Sequence, residues 1–297
     1  MSPFIFCGTS ANQSWRAVLV VALMLTAAGT QAAGTRQLAT GGASTIEGSA
    51  GGGIVPWAAI TGYSTGEEFG ATAFLSRVDT GDYSLDSAGA ALGLFNRIEL
   101  SVARQDLDLI TLGPALGLPG AHLRQHIVGV KMRLFGDVIY TDWPQVSLGV
   151  QYKKNRDFLI PSVVGADDDS DVDIYLSATK VFLAGVGNFN AFINGTARYT
   201  RANETGLLGF GGPGGSGRKL QAEVSGGILF SRRFAVGAEY RMKSGNLPGL
   251  PEDDWRDVFV AWFPNRHMSV VLAYVDLGTI ATLNDQTGWY LSLQGAF

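Results

Sequence analysis

Apolar and polar residues alternate with a period of two along most of the chain. Ile98, Leu100 and Val102 share one face of a segment whose other face carries Arg97, Glu99, Ser101 and Ala103. Val128, Val130, Met132 and Leu134 oppose Lys131 and Arg133. Val146, Leu148, Val150 and Tyr152 oppose Ser147, Gln151 and Lys153, and Val172, Ile174, Leu176 and Ala178 oppose Asp173, Tyr175, Ser177 and Thr179. The pattern predicts twelve strands, near 69–78, 84–94, 96–106, 124–136, 144–154, 171–183, 188–200, 219–230, 233–242, 255–263, 267–276 and 288–297. Their lengths are near the 9–11 residues that a tilted membrane-crossing strand needs. In the segment 255–263, Asp257 shares the parity of Trp255 and Phe259. A bulge or an early exit from the membrane is expected there.

Alternation also suits a soluble sandwich, so the connections decide. Short turns fall at Phe95-Asn96, Gly185-Val-Gly187, Ser231-Arg232 and Pro264-Asn-Arg266, with a longer one from Asp137 to Trp143. Between them lie longer loops near 107–123, 155–170, 201–218, 243–254 and 277–287. Strict alternation of short and long is the signature of periplasmic turns and extracellular loops. Phe95, Phe135, Phe182, Phe189, Phe230, Phe234, Phe263 and Phe297 lie beside short turns or at the terminus; Tyr152, Tyr199, Tyr240, Trp255, Tyr274 and Trp289 lie beside long loops. Two aromatic girdles at opposite ends of an apolar wall match the two interfaces of a bilayer. The expected fold is an all-β transmembrane antiparallel barrel of about twelve strands spanning 69–297. The count becomes fourteen if the Gly-rich segment 34–68, which contains Gly51-Gly-Gly-Ile-Val-Pro-Trp-Ala58, adds a hairpin; otherwise that segment folds into the lumen as a plug. Pro56, which cannot donate to a ladder, counts against the hairpin.

The two ends add an address. Arg16, the apolar run Ala17–Ala28 and the small residues to Ala33 have the order of a cleaved secretory signal peptide, 1–33. At the other end, Trp289, Leu291, Leu293 and Phe297 share one face of the last strand. This stretch resembles the C-terminal assembly signal of bacterial outer-membrane barrels. The resemblance implies insertion by the barrel-assembly machinery of a Gram-negative bacterium, with outer-membrane lipid and lipopolysaccharide as surroundings. The motifs Gly51-Gly-Gly-Ile-Val-Pro-Trp-Ala58, Arg77-Val-Asp-Thr80, Ile127-Val-Gly-Val-Lys131 and Gln151-Tyr-Lys-Lys-Asn155 resemble an uncharacterised proteobacterial outer-membrane family known only as a domain of unknown function (DUF3034-like). That likeness implies the outer membrane and supplies no activity.

Composition sharpens this picture. Charged residues make up only 16%, against about a quarter in soluble proteins, while 40 residues are glycine. A net charge of −4 without a basic patch argues against nucleic acid. The one cysteine, Cys7, lies in the expected signal peptide, so the exported chain has no thiol chemistry. His122 and His126 would stand about 13 Å apart on a strand, too far to share an ion. Three histidines and the absence of a Gly-x-Ser-x-Gly elbow give no basis for an enzyme or a cofactor. Asp167, Asp169, Asp171 and Asp173 form an acidic loop whose alternate carboxylates suit a hard cation only weakly, without the glycine and closing glutamate of an EF-hand. The Gly-rich run Gly209–Gly217 reads as a mobile extracellular loop or one folded into the lumen.

The candidate lumen lining is Arg97, Glu99, Lys131, Arg133, Gln151, Lys153, Asp173, Arg198, Gln221, Glu223, Glu239 and Arg241. The leading expectation is a porin-like passive channel for small polar solutes, weakly selective because the lining has mixed signs. The alternative is a closed structural barrel acting through its extracellular loops, which a continuous lumen ion-pair network would favour. A third reading, uptake of apolar molecules, would need an apolar internal pocket and a plug around Gly51 to Trp57. Monomer and trimer remain open.

Overall fold

The computed structural model describes residues 42–62, 68–213 and 217–297. The expected signal peptide with Cys7 lies outside the described residues. Strands β1 (Ala43–Ser44) and β2 (Ala50–Gly51) pair only with each other. The wall is built from β3 (Phe69–Asp79), β4 (Ser84–Leu94), β5 (Ile98–Asp108), β6 (His122–Phe135), β7 (Gln145–Asn155) and β8 (Ser170–Val186). It continues through β9 (Phe189–Thr200), β10 (Lys219–Leu229), β11 (Phe234–Arg241), β12 (Trp255–Asn265), β13 (Met268–Asp276) and β14 (Thr287–Ala296). Each strand pairs antiparallel with its sequence neighbours, and β14 closes the barrel against β3. The result is a closed twelve-stranded barrel, and the hairpin of β1 and β2 adds nothing to the wall. Phe297 completes the seam, its N–H donating to Ala71 O at 2.8 Å and its carbonyl accepting from Ala71 N at 2.9 Å.

Each wall strand, β3 to β14, places alternate residues outside, where Leu100, Val130, Val150, Leu176, Val260 and Leu291 stay exposed. A continuous apolar belt around a closed wall is stable against hydrocarbon, so the barrel is of the outer-membrane type. At the short-turn end, Phe69 packs on Phe95, Phe189 on Phe230 and Phe234 on Trp262, with ring centroids 5.0, 5.2 and 6.3 Å apart. Tyr152, Tyr199 and Tyr240 ring the long-loop end with the pair Tyr274–Trp289. The sorting of aromatics is less strict than expected, since Tyr140, Trp143 and Trp262 lie at the short-turn end.

β12 departs from the sequence reading. Trp255, Asp257, Phe259 and Phe263 face inward, while Val258, Val260 and Trp262 face outward. Both faces of this strand are largely apolar, so its own alternation leaves the phase undetermined. Pairing decides it: Val258 stands between Ala238 of β11 and Tyr274 of β13, both outward. No bulge is needed at Asp257; the register shift lies between Trp262 and Asn265. Two short helices, α1 (Leu112–Ala115) and α2 (Leu159–Val163), sit in the long loops.

Candidate functional site

The register places inward polar groups of adjacent strands opposite each other. Glu99 faces Lys131, Gln151 faces Asp173, Arg198 faces Gln221 and Glu223 faces Arg241. Glu99 and Lys131 form an ion pair at 3.1 Å. Arg198 binds Glu223 through Nε at 2.5 Å, Gln151 through Nη1 at 2.9 Å and lies 3.5 Å from Asp173. Its guanidinium also lies 5.3 Å from the centre of the Tyr175 ring. Charges this deeply buried need partners, and part of the partnership comes from outside the wall.

Residues 42–62 supply it from within the barrel, where nearly all of them are buried. Glu47, the one charged residue of this segment, is fully buried among three wall cations: Lys153 at 2.5 Å, Arg241 at 2.9 Å and Arg198 at 3.1 Å. Burial by itself would raise the Glu47 pKa, but Arg198, Arg241 and Lys153 together hold it well below the ordinary carboxylate value. Lys153 directs its three donor positions to Glu47, to Asp173 at 2.8 Å and to the carbonyl of Thr205 at 3.0 Å.

The backbone of the segment is held just as closely. Glu99 accepts from Ala50 N at 3.0 Å and Thr61 N at 2.8 Å, while Lys131 donates to the carbonyls of Ala50 and Trp57, each at 3.1 Å. Glu239 accepts from Gly53 N at 2.6 Å and Ile54 N at 2.8 Å. Gln105 and Ser87 donate to Ile46 O, Gln145 and Ser147 to Ala58 O, and Thr196 to Pro56 O. Close approach requires glycine at position 52, where a Cβ would stand 2.0 Å from Glu239 Oε1.

The connection after β9 closes the long-loop end. Thr205 O accepts from Lys153, Leu207 O accepts from Asn155 Nδ2 at 2.6 Å, and Phe210 is fully buried. Glu204 is paired with Lys243, whose ammonium also lies 3.4 Å from Glu252 and 4.6 Å from the centre of the Trp255 ring. Burial, opposed by Lys243 and reinforced by Glu252, pushes Glu204 up to about 7.

Ten of the twelve candidate lining residues occupy the interior; Gln221 lies near its long-loop end, hydrogen-bonded to Ser244 at 3.1 Å. Arg97 and Arg133 do not. Arg97 is exposed in the β4–β5 turn, and Arg133 is half-buried beside Gly136 and Asp137 at the short-turn rim. Their parity is inward, but Arg97 stands in the turn before β5, and Arg133, still paired with Ser147 of β7, turns its guanidinium to Gly136 and Asp137 at the rim. In the acidic loop, Asp169 pairs with Lys154, Asp171 with Arg201 and Arg218, and Asp173 turns into the lumen. Asp167 is separate, and among the described residues no group of three or more His, Cys, Asp or Glu is placed to hold a metal. Trp289, Leu291 and Leu293 face outward on β14. Glu47 and the Lys243–Glu204–Glu252 cluster escaped the sequence reading. The available signal for Glu47 was a single carboxylate in a stretch otherwise made of small and apolar residues.

Above and below the polar layer the interior is apolar. A cavity of about 60 Å³ at the short-turn end is lined by Trp57, Phe192, Phe259, Phe263, Val138 and Val271 among others. A second, of about 40 Å³ at the long-loop end, is lined by residues including Ile46, Ile54, Tyr83, Leu207, Trp255 and Ile280.

The chain belongs to the family described as protein of unknown function (DUF3034), whose model matches residues 40–294. No curated protein is similar to it in sequence. Among solved structures it is similar to the outer membrane protein Omp33 of Acinetobacter baumannii, at 12% identity and a TM-score of 0.44 over 78% of this chain and 98% of that one. It is also similar to the KdgM porin, at 9% identity and 0.47 over 77% and 99%, and to the COG4313 outer membrane channel of Pseudomonas putida F1, at 12% and 0.40 over 82% and 96%.

Proposed function

We propose that this member of the family, exported by a leader ending near residue 33, is a porin-type outer-membrane channel kept closed at rest by residues 42–62. Lipid and lipopolysaccharide surround its apolar belt. Opening consists of a shift of the segment away from the wall, which lets small solutes pass without chemical change. The observation that carries this reading is the manner in which the segment is held. Beside the apolar packing of Ile46, Ile54, Val55 and Trp57, its anchors are ion pairs and hydrogen bonds to inward side chains, which water can replace when it enters. A segment with no strand in the wall can leave while the twelve-stranded ladder remains intact.

A closed scaffold is the second reading, favoured by the continuous network joining Glu47, Lys153, Asp173, Arg198, Glu223 and Arg241. Planar-bilayer conductance separates the two. The channel reading expects rare, brief openings from the parent and frequent, discrete ones when residues 43–61 are deleted. Silence from both proteins, each verified as a heat-modifiable barrel, would leave the scaffold.

A further inference from the structure

The inward faces of a water-filled pore are polar along their length, because bulk water fills the space. Here most charged inward side chains lie in the layer that grips residues 42–62, where they bond one another and the segment. The unfilled space lies elsewhere. At the short-turn end it is bounded by Phe192, Phe259, Phe263, Val138 and Val271 of the wall and turn, with Trp57 of the segment forming part of its lining. Trp57 packs against Phe192 with ring centres 4.7 Å apart and the rings tilted by 45°, so the chamber and the segment share a surface. A water molecule needs about 10–15 Å³ on this measure of volume together with two to four polar partners. The chamber has room for several waters, and of its two polar side chains Thr179 already bonds Ala58 and Asn194 while Asn190 accepts from Ala184. Apolar surface entering it gains the usual burial energy, while water gains little.

We infer that this chamber is a binding site for a short alkyl chain, seated against Trp57 on the periplasmic side of the segment. The inference rests on the channel reading for its role in transport, since a solute leaving Trp57 or arriving there would meet the segment directly. It stands on its own as a statement of binding. The volume selects a slender chain, and the absence of any charged side chain from the lining selects against ions and sugars. The second cavity, lined by Ile46 and Ile54 of the same segment, places a comparable apolar surface across the polar layer. The alkyl chain comes either from a free apolar solute or from the tail of a membrane lipid.

The test uses the full-length protein purified from membranes and placed in nanodiscs, with 1-bromohexane as a tryptophan quencher. Subtracting the signal of Trp57→Phe isolates the Trp57 contribution. Saturable quenching of Trp57, weakened at least tenfold by filling the chamber with Ala261→Phe or the milder Ala235→Leu, supports the site. Quenching that rises linearly with bulk partitioning and is unchanged by both variants overturns it. Nanodiscs containing a dibrominated-chain phospholipid identify the source: Trp57 quenched without added bromohexane, and relieved by hexane, means a lipid tail; an unquenched Trp57 means a free solute. Conductance is read separately on the same preparation. Saturable binding with silence from both the parent and the protein lacking residues 43–61 sinks the channel and keeps the site, and openings without saturable binding do the reverse.

Discussion

Replacing Glu47 by glutamine removes one buried charge while keeping the shape of the side chain. The parent carboxylate serves Lys153, Arg198 and Arg241, none of them more than 2% exposed. Breaking a buried pair by removing one partner costs about 3–5 kcal/mol. The cost here falls at the low end, because Lys153 retains Asp173 and both arginines retain Glu223. About 3 kcal/mol is roughly a hundredfold in an equilibrium constant. That change applies to docking of residues 42–62, since the wall ladder is untouched. Ser49, buried in the segment, reports it: Ser49→Cys introduces one thiol into an exported chain expected to have none, and its maleimide labelling rate follows the fraction undocked. Glu47→Gln should raise that rate about a hundredfold, on the same free-energy scale. Asp86→Asn, which removes an exposed partner of Arg77, should leave it unchanged. The sign with pH follows from the lowered pKa of Glu47. A depressed folded-state pKa gives stabilisation that is complete above the ordinary value of 4.5 and lost only as pH falls through the lower folded value. Labelling of Ser49→Cys, divided by the rate of a free thiol at the same pH, should therefore stay as low at pH 5 as at pH 7. A labelling rate within twofold of the parent in Glu47→Gln would refute the claim that this carboxylate fastens the segment.

Other perturbations address other parts of the molecule. Glu204, raised to about 7, stabilises the folded loop fully below about pH 4.5 and less as pH rises through 7; hydrogen-exchange protection factors in residues 201–211, with the intrinsic pH dependence divided out, should fall between pH 6 and 8.5, and Glu204→Gln should flatten that fall. Gly52→Ala drives a methyl group into the Glu239 carboxyl and strains its bonds to Gly53 and Ile54; loss of about 1–3 kcal/mol of docking, the worth of two hydrogen bonds, is expected, read by the same thiol. Val260→Arg, on the outward mid-belt of β12, should destabilise refolding into bilayers by about 2–4 kcal/mol, measured by denaturant titration in lipid.

The sequence by itself determined the wall. Period-2 alternation places the strands within a few residues of their ends, because each residue in a membrane barrel has only two possible surroundings, lipid or lumen. Glu99, Lys131, Arg198 and Glu223 are inward by parity alone, and the same parity sends Leu291 and Leu293 to the lipid. Parity failed where the two faces do not differ. On β12 both are apolar, so only hydrogen bonding to β11 and β13 could set which of Val258 and Phe259 meets lipid. It misled again at the short-turn rim, where Arg97 lies in a turn and Arg133, still in the ladder, folds back onto Gly136 and Asp137. Tertiary structure alone decided the contents of the lumen. Lys153 and Glu47 are 106 residues apart, and no periodicity encodes a contact made across the barrel by a segment outside its ladder. Closure brings cations from β7, β9 and β11 around one point, and only there does the lone carboxylate of residues 42–62 acquire its partners.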